Sequence, residues 1–304
     1  MMQDPQPDFQ PSAGIAECLS PGLRRVLAAN PSPMTFRGTN TYLLGDHDLA
    51  IIDPGPADPS HLTALLAAIG NAQVSAILVT HAHVDHSPLA SQLAQRVDAP
   101  VYAFSDARGG RSPVMQRLAD SGLMRGGEGV DADFQPDICL ADGESVSGDG
   151  WRIKALHTPG HFGNHLSFQW EDILFCGDLV MGWASSLVSP PDGDLTDFMA
   201  SCQRLQAKRW AVFHAGHGAP ITAPNDRLDW LIKHRLAREA AVLEALQSGP
   251  ATSAALATRI YTDTPAALMP AAARNVLAHL IDLHGKNRVI PLGDLSADVQ
   301  FALA

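Results

Sequence analysis

The chain lacks a long apolar run. No stretch of its 304 residues approaches the ~18 consecutive apolar positions that a membrane-spanning helix needs, so no membrane association is expected. Its opening, MMQDPQPDFQPSAGIAE, lacks the positive n-region and apolar h-region of a secretory signal, which points to a cytoplasmic chain. Cysteine is scarce and dispersed: Cys18, Cys139, Cys176 and Cys202 form no CxxC pair. That indicates neither a disulfide framework nor a cysteine zinc knuckle, and it fits a reducing compartment. Basic charge is also in deficit. With 21 Lys and Arg against 32 Asp and Glu, the net charge of −11 repels polyanions at long range and weighs against generic nucleic-acid binding.

What the chain does have is 46% hydrophobic residues, enough for one large core or for a large domain plus a small one. TNTYLLGDHDLAIIDPGP reads as a hairpin of strands 42–44 and 49–52 around a Gly-Asp turn. PSHLTALLAAIG has helical spacing with a glycine stop, VSAILVT is an apolar strand, and SPLASQLAQRV is a helix with Ser87 as N-cap and Pro88 at its first position. APVYAF adds a strand, and ICLADGESVSGDGWRIKALHT and HLSFQWEDILFCGD add hairpin-like pairs, so the fold class is a layered α/β. From about residue 226 one long amphipathic helix runs to Gly249-Pro250, followed by helices and a short strand in winged-helix order. The expected division is a large domain over 1–225, a connecting helix over 226–249 and a winged-helix-like domain over 250–304.

The chemistry concentrates in the histidines. LVTHAHVDHSPLA crowds His81, His83 and His86 around Asp85, HTPGHFGNH carries His157, His161 and His165, and FHAGHGAP carries His214 and His217. Eight of the 13 histidines therefore lie in three short stretches, each at a strand end or turn where side chains converge. Neutral histidine with carboxylate is the usual donor set of a hydrolytic zinc. His81 and His83 alternate in an extended segment and share a side, whereas Asp85 and His86 sit at the turn into a helix and are free to serve a second point, about 3.5–4 Å away in paired catalytic metals. The spacing suits two ions. Cys176, on an apolar strand, reads as core, and His157 as a residue behind the ligands.

HxHxDH, then HTPGH, then an apolar-Cys-Gly-Asp, then GHG-Pro, in that order, resembles the metallo-β-lactamase superfamily. The resemblance implies an αββα sandwich with the site at the sheet edges. It also implies that His81, His83 and His161 hold one metal, that Asp85, His86 and His217 hold the other, and that Asp178 bridges them. The cofactor implied is two Zn2+, with iron or manganese as alternatives. Asp85 and Asp178 are then the catalytic carboxylates, and Asp53 in IIDPG is a carboxylate hydrogen-bonded within the site. The activity implied is hydrolysis by a metal-bridging hydroxide, without a serine or cysteine nucleophile.

A bridging Asp178 resembles the thioesterase, lactonase and nuclease branches more than true β-lactamases. NPSPMTFRGTNTYLLG, AGHGAPI, HRLAREAAVLEAL and IYTDTPAALMPAAARNVLAHLIDL further resemble the β-lactamase-like protein 2 group, in which a winged-helix-like domain follows the hydrolase domain and whose animal members cleave single-stranded RNA. Two substrate classes follow, a small ester, thioester or related acyl compound and single-stranded RNA, and the acidic charge favours the small molecule. Arg259, Arg274, Lys286 and Arg288 are nearly balanced by Asp263, Asp282 and Asp294, so the tail reads as a scaffold beside the site. SDARGGRSPVMQRLADSGLMRGGEG reads as a loop or lid whose Arg108, Arg111, Arg117 and Arg125 are candidates for contacting an anionic substrate. Trp183 and His165 are further substrate-contact candidates.

Overall fold

The computed structural model describes residues 4–122 and 129–304. Strands β1 (Ala16–Ser20), β2 (Leu23–Leu27), β3 (Asn40–Leu44), β4 (Asp48–Ile52), β5 (Gln73–Leu78), β6 (Val101–Ala103) and β7 (Ile138–Cys139) form one sheet in chain order, antiparallel as far as β4 and parallel beyond it. Helices α1 (Pro59–Ile69) and α2 (Leu89–Val97) cover its outer face, and α3 (Pro113–Asp120) lies farther along the chain. A second sheet of β8 (Ser145–Gly148), β9 (Trp151–His157), β10 (Leu166–Trp170), β11 (Ile173–Gly177) and β12 (Val212–Ala215) packs against the first. On its far side lie α4 (Leu195–Gln206) and the first half of α5 (Pro224–Leu246). This is the αββα sandwich expected.

Alternation of side chains along each strand builds the layers. In β4, Leu49 and Ile51 face α1 and α2, whereas Ala50 and Ile52 face the second sheet; in β3, Leu43 and Leu44 divide likewise. The middle layer joins Leu44, Ile52 and Leu78 of one sheet to Ile153, Phe168 and Phe175 of the other. In β11, Phe175 enters this layer while Cys176 turns to the helices and is fully buried, its thiol pKa pushed up by burial. Gly177, with φ at 46°, ends β11 and breaks the alternation, so Asp178 leaves the Cys176 side and turns into the site.

Two local expectations change. Strands β1 and β2, which are not among the expected strands although Pro21-Gly22 supplies the turn between them, extend the first sheet at its edge. Ser87 does not cap α2: Pro88 holds the cap position with no side-chain bond, and the Ser87 hydroxyl faces Asp131 Oδ2 at 2.7 Å instead.

The rest of α5, α6 (Ser253–Ile260), α7 (Met269–Gly285) and the paired β13 (Val289–Pro291) and β14 (Phe301–Leu303) share a further core. That core includes Met115 and Leu118 of α3, so the arginine-rich segment, expected as a loop or lid, contains a helix on which the C-terminal unit docks. No helix among the described residues is long and apolar enough to cross a membrane.

Phe168 is fully buried between the sheets, and Leu303 is 41% exposed. Phe168→Ala should lower unfolding free energy by about 3–5 kcal/mol, and Leu303→Ala by ~0.5 kcal/mol, measured by urea denaturation. Equal shifts in the two midpoints would contradict a core placed between the sheets.

Candidate metal centre

Strands β4 and β5 are parallel neighbours, as are β11 and β12, so their C-terminal ends gather at the sheet edges. Asp53 follows β4, the 81–86 segment follows β5, Asp178 follows β11, and His217 lies two residues past β12. His161 comes from the β9–β10 turn. The 81–86 segment is pinned by backbone bonds from Val84 N to Gly129 O and from Asp131 N to Ala82 O.

His81 Nε2 and His83 Nδ1 lie 2.9 Å apart, and His161 Nε2 is 3.2 Å from His83 Nδ1. A tetrahedral zinc with ~2.0–2.1 Å bonds separates its ligand nitrogens by about 3.3 Å, so these three atoms suit one ion. A second group comprises Asp85, His86 and His217. His217 Nε2 is 3.1 Å from Asp85 Oδ2 and 3.3 Å from Asp178 Oδ2. Asp178 touches both groups, its Oδ2 also lying 3.8 Å from His161 Nε2. His86 Nε2 and Asp178 Oδ1 are buried without a hydrogen-bond partner and face each other across 3.6 Å. Two unpaired buried polar atoms aimed at one point are what a cation would satisfy.

The far sides of four of the five rings explain their orientation. His161 Nδ1 bonds Leu187 O at 2.7 Å and His217 Nδ1 bonds Gly38 O at 3.1 Å. A carbonyl only accepts, so both Nδ1 atoms carry a proton, and Nε2 is the atom each ring turns toward the cluster. Asp53 does the same for two further rings. Its Oδ1 accepts from Thr80 N; its Oδ2 accepts from the Thr80 hydroxyl and from His86 Nδ1 at 2.9 Å. Because the Thr80 hydroxyl donates to Asp53, it is left to accept from His81 Nδ1. Gly216 has to be glycine: a Cβ there would lie 2.4 Å from Asp178 Oδ1 and 2.6 Å from a carbon of the His86 ring.

Electrostatics divides the cluster in two. Burial pushes the pKa of His83 down to about 3, and it lowers His81 and His161 as well, so these rings are neutral and competent to ligate. Burial also acts to lower His86 and His217, but the Asp85 and Asp178 carboxylates outweigh it, raising His86 well above its usual value and His217 to about 10. Burial opposes ionisation of Asp85 and Asp178, and the two imidazoles overcome it and hold both carboxylates well below their usual range. Protons therefore occupy the place that suits a cation.

The remaining candidates divide. His165 is fully buried below the cleft, where its Nε2 accepts from Asp178 N at 3.3 Å. It backs Asp178 and does not line the cleft. His157 stacks on Phe104 and bonds Gly163 O in the loop that carries His161, without reaching the cluster. Trp183 stacks on Phe36 at 5.0 Å, beside the cleft wall but not in it. The Arg111 side chain is buried and paired with Asp192 at 2.7 Å, which makes it part of the fold. Arg108 and Arg117 are exposed away from the cleft, and Arg125 lies outside the described residues. Sequence reading missed Thr80, Gly216 and Asn40, whose amide joins Ala215 O and Gly218 O and secures the loop of His217.

The model of the metallo-beta-lactamase superfamily matches residues 34–217, and that of the beta-lactamase associated winged helix domain matches 252–297. The chain belongs to the metallo-β-lactamase superfamily, whose members are metal-dependent hydrolases, and it is a hydrolase of that superfamily. It is 31% identical to the beta-lactamase-like protein 2 homolog of Caenorhabditis elegans over 86% of this chain and 83% of that one. It is also 31% identical to the atrochrysone carboxyl ACP thioesterase of Aspergillus fumigatus, over 84% of this chain and 78% of that one. A solved metallo-beta-lactamase family protein from Thermus thermophilus superposes with a TM-score of 0.76 at 27% identity, covering 94% of this chain and all of its own.

Two outcomes test this geometry. Asp53→Ala frees the His81 and His86 rings and should weaken metal affinity by about 10–100-fold, read by competition with a chromophoric chelator. Since His217, with its pKa at about 10, and His86 are protonated at neutral pH, metal uptake should release protons and weaken as pH falls. Calorimetric titration in two buffers of different ionisation enthalpy measures that release, and its absence at pH 7 would contradict the charge assignment.

Proposed function

We propose that the chain is a dinuclear metal hydrolase acting on a small acyl thioester or ester. The observation that carries this reading is the cleft above the cluster, about 260 Å³ in volume, with Met34, Val84, Met181 and Leu187 as walls and His83, Asp85, His161, Asp178 and His217 at its floor. Such a cleft accepts an apolar acyl chain while aiming its polar end at the ligands. None of the described lining residues is Lys or Arg, which disfavours a polyanion in the cleft. The thioesterase name of the Aspergillus relative supports the same substrate class. All four cysteines are free thiols, which favours the cytoplasm.

His81, His83 and His161 would hold one ion and Asp85, His86 and His217 the other, with Asp178 shared. The donor set suits zinc, with iron or manganese also compatible. Bound there, such ions supply a Lewis acid and a water acidified toward neutrality. The chain's own residues do the rest. The apolar walls exclude bulk water and seat the acyl group; Asp53 and the carbonyls of Leu187 and Gly38 keep the rings in one tautomer. Asp85 and Asp178 supply the negative charge that retains cations in a buried site. No described lining residue is a serine or cysteine, and the buried Cys176 thiol bonds Val180 O on the opposite side of β11.

The domain order shared with the beta-lactamase-like protein 2 homologs favours a second reading, cleavage of single-stranded RNA. Parallel assays of the metal-loaded protein with an acyl thioester and a single-stranded RNA oligomer separate the two. Thioester turnover is expected, falling on the order of 10²–10³-fold or more in Asp178→Ala. RNA cleavage without thioester turnover would replace the first reading by the second. Turnover untouched by Asp178→Ala would contradict both.

A further inference from the structure

Between β11 and α4 the chain crosses the site as an irregular strap, and the strap supplies two cleft walls, Met181 and Leu187. Its Leu187 carbonyl is the acceptor that orients His161. Side chains from α5 and α7 hold this strap along its length. Arg227 donates to Met181 O at 2.7 Å and to Ala184 O at 2.6 Å. Arg235, two turns further along α5, donates to Ser186 O and, at 3.0 Å, to Asn275 Oδ1. The same Asn275 oxygen accepts from Val188 N at 3.1 Å, and Arg274 donates to Ser189 Oγ at 2.7 Å. Leu187 is thus bracketed by Ser186 O and Val188 N, both tied to the Arg235–Asn275 pair.

Arg235 is 2% exposed, and its guanidinium lies over the Phe198 ring at 4.9 Å. Burial lowers its pKa only to about 10, so it stays charged at neutral pH. A buried cation held by a planar fork fixes its acceptors tightly, because moving the strap would leave the charge unpaired. Asn275 belongs to the winged-helix domain, so a side chain far along the chain bonds the segment whose Leu187 carbonyl orients His161.

We propose that Arg235 and Asn275 are positioning residues for His161: through the 186–188 strap, the C-terminal helices set the tautomer and aim of one metal-ligating ring. The inference rests on the metal reading proposed above. It gives the winged-helix domain a role in shaping the metal site, with no need for that domain to touch substrate.

The test uses the full-length protein loaded with zinc, read by chelator competition and not by turnover. Asn275→Leu removes the shared acceptor and should weaken one of the two ions by about 10-fold while leaving the other near its wild-type affinity. Asn275→Asp keeps an oxygen that accepts both bonds and should restore the affinity. Val289→Ala, a core change in the wing strand away from the strap, should lower Tm and leave both affinities unchanged. The inference is overturned if folded Asn275→Leu binds both ions as the wild type does, if Asn275→Asp is as weak as Asn275→Leu, or if Val289→Ala weakens binding equally. A wild-type chain that takes up no metal overturns the functional reading together with this one.

Discussion

Two carboxylates, Asp85 and Asp178, lie among five imidazoles at the edges of two packed sheets, largely out of water. Such a group is costly unless positive charge sits inside it. The rest of the site follows from that constraint. Parallel strand ends bring the donors together, Gly216 makes room for Asp178 and His86, and Asp53, Gly38 and Leu187 turn four of the five rings so that one nitrogen faces inward. Without metal, His86 and His217 carry the compensating charge as protons. The arrangement of donors and charge is that of a site suited to a cation.

Much of the cluster was legible in the sequence because few residue types can ligate a hydrolytic metal, and those types fell at strand ends in short, ordered motifs. The sandwich was legible for a similar reason, since strands such as LAII and ILFCG alternate between two buried faces. What escaped was context. Thr80, Asn40 and Gly216 act through a hydroxyl, an amide and the lack of a side chain, features common throughout any chain. Arg111 read as a substrate contact because sequence does not show that Asp192, distant along the chain, pairs with it. Arg235 lies in a segment that read only as an amphipathic helix, and nothing in that pattern shows that its side chain is buried.

The acidic field and the apolar cleft point the same way. A cleft walled by methionine, valine and leucine, on a protein of net charge −11, is poorly matched to a phosphate backbone and well matched to an acyl chain. The C-terminal unit need not bind nucleic acid to matter. Docked on α3 and bonded to the strap at Val188 and Ser189, it adjoins the cleft wall at Leu187.

The central claim is that one buried cluster holds two metal ions. Anomalous diffraction from crystals of the zinc-loaded protein tests it most directly. The account predicts two peaks per chain, one among His81, His83 and His161 and one among Asp85, His86 and His217, both against Asp178. A single peak, or none within this cluster in fully loaded protein, would contradict it.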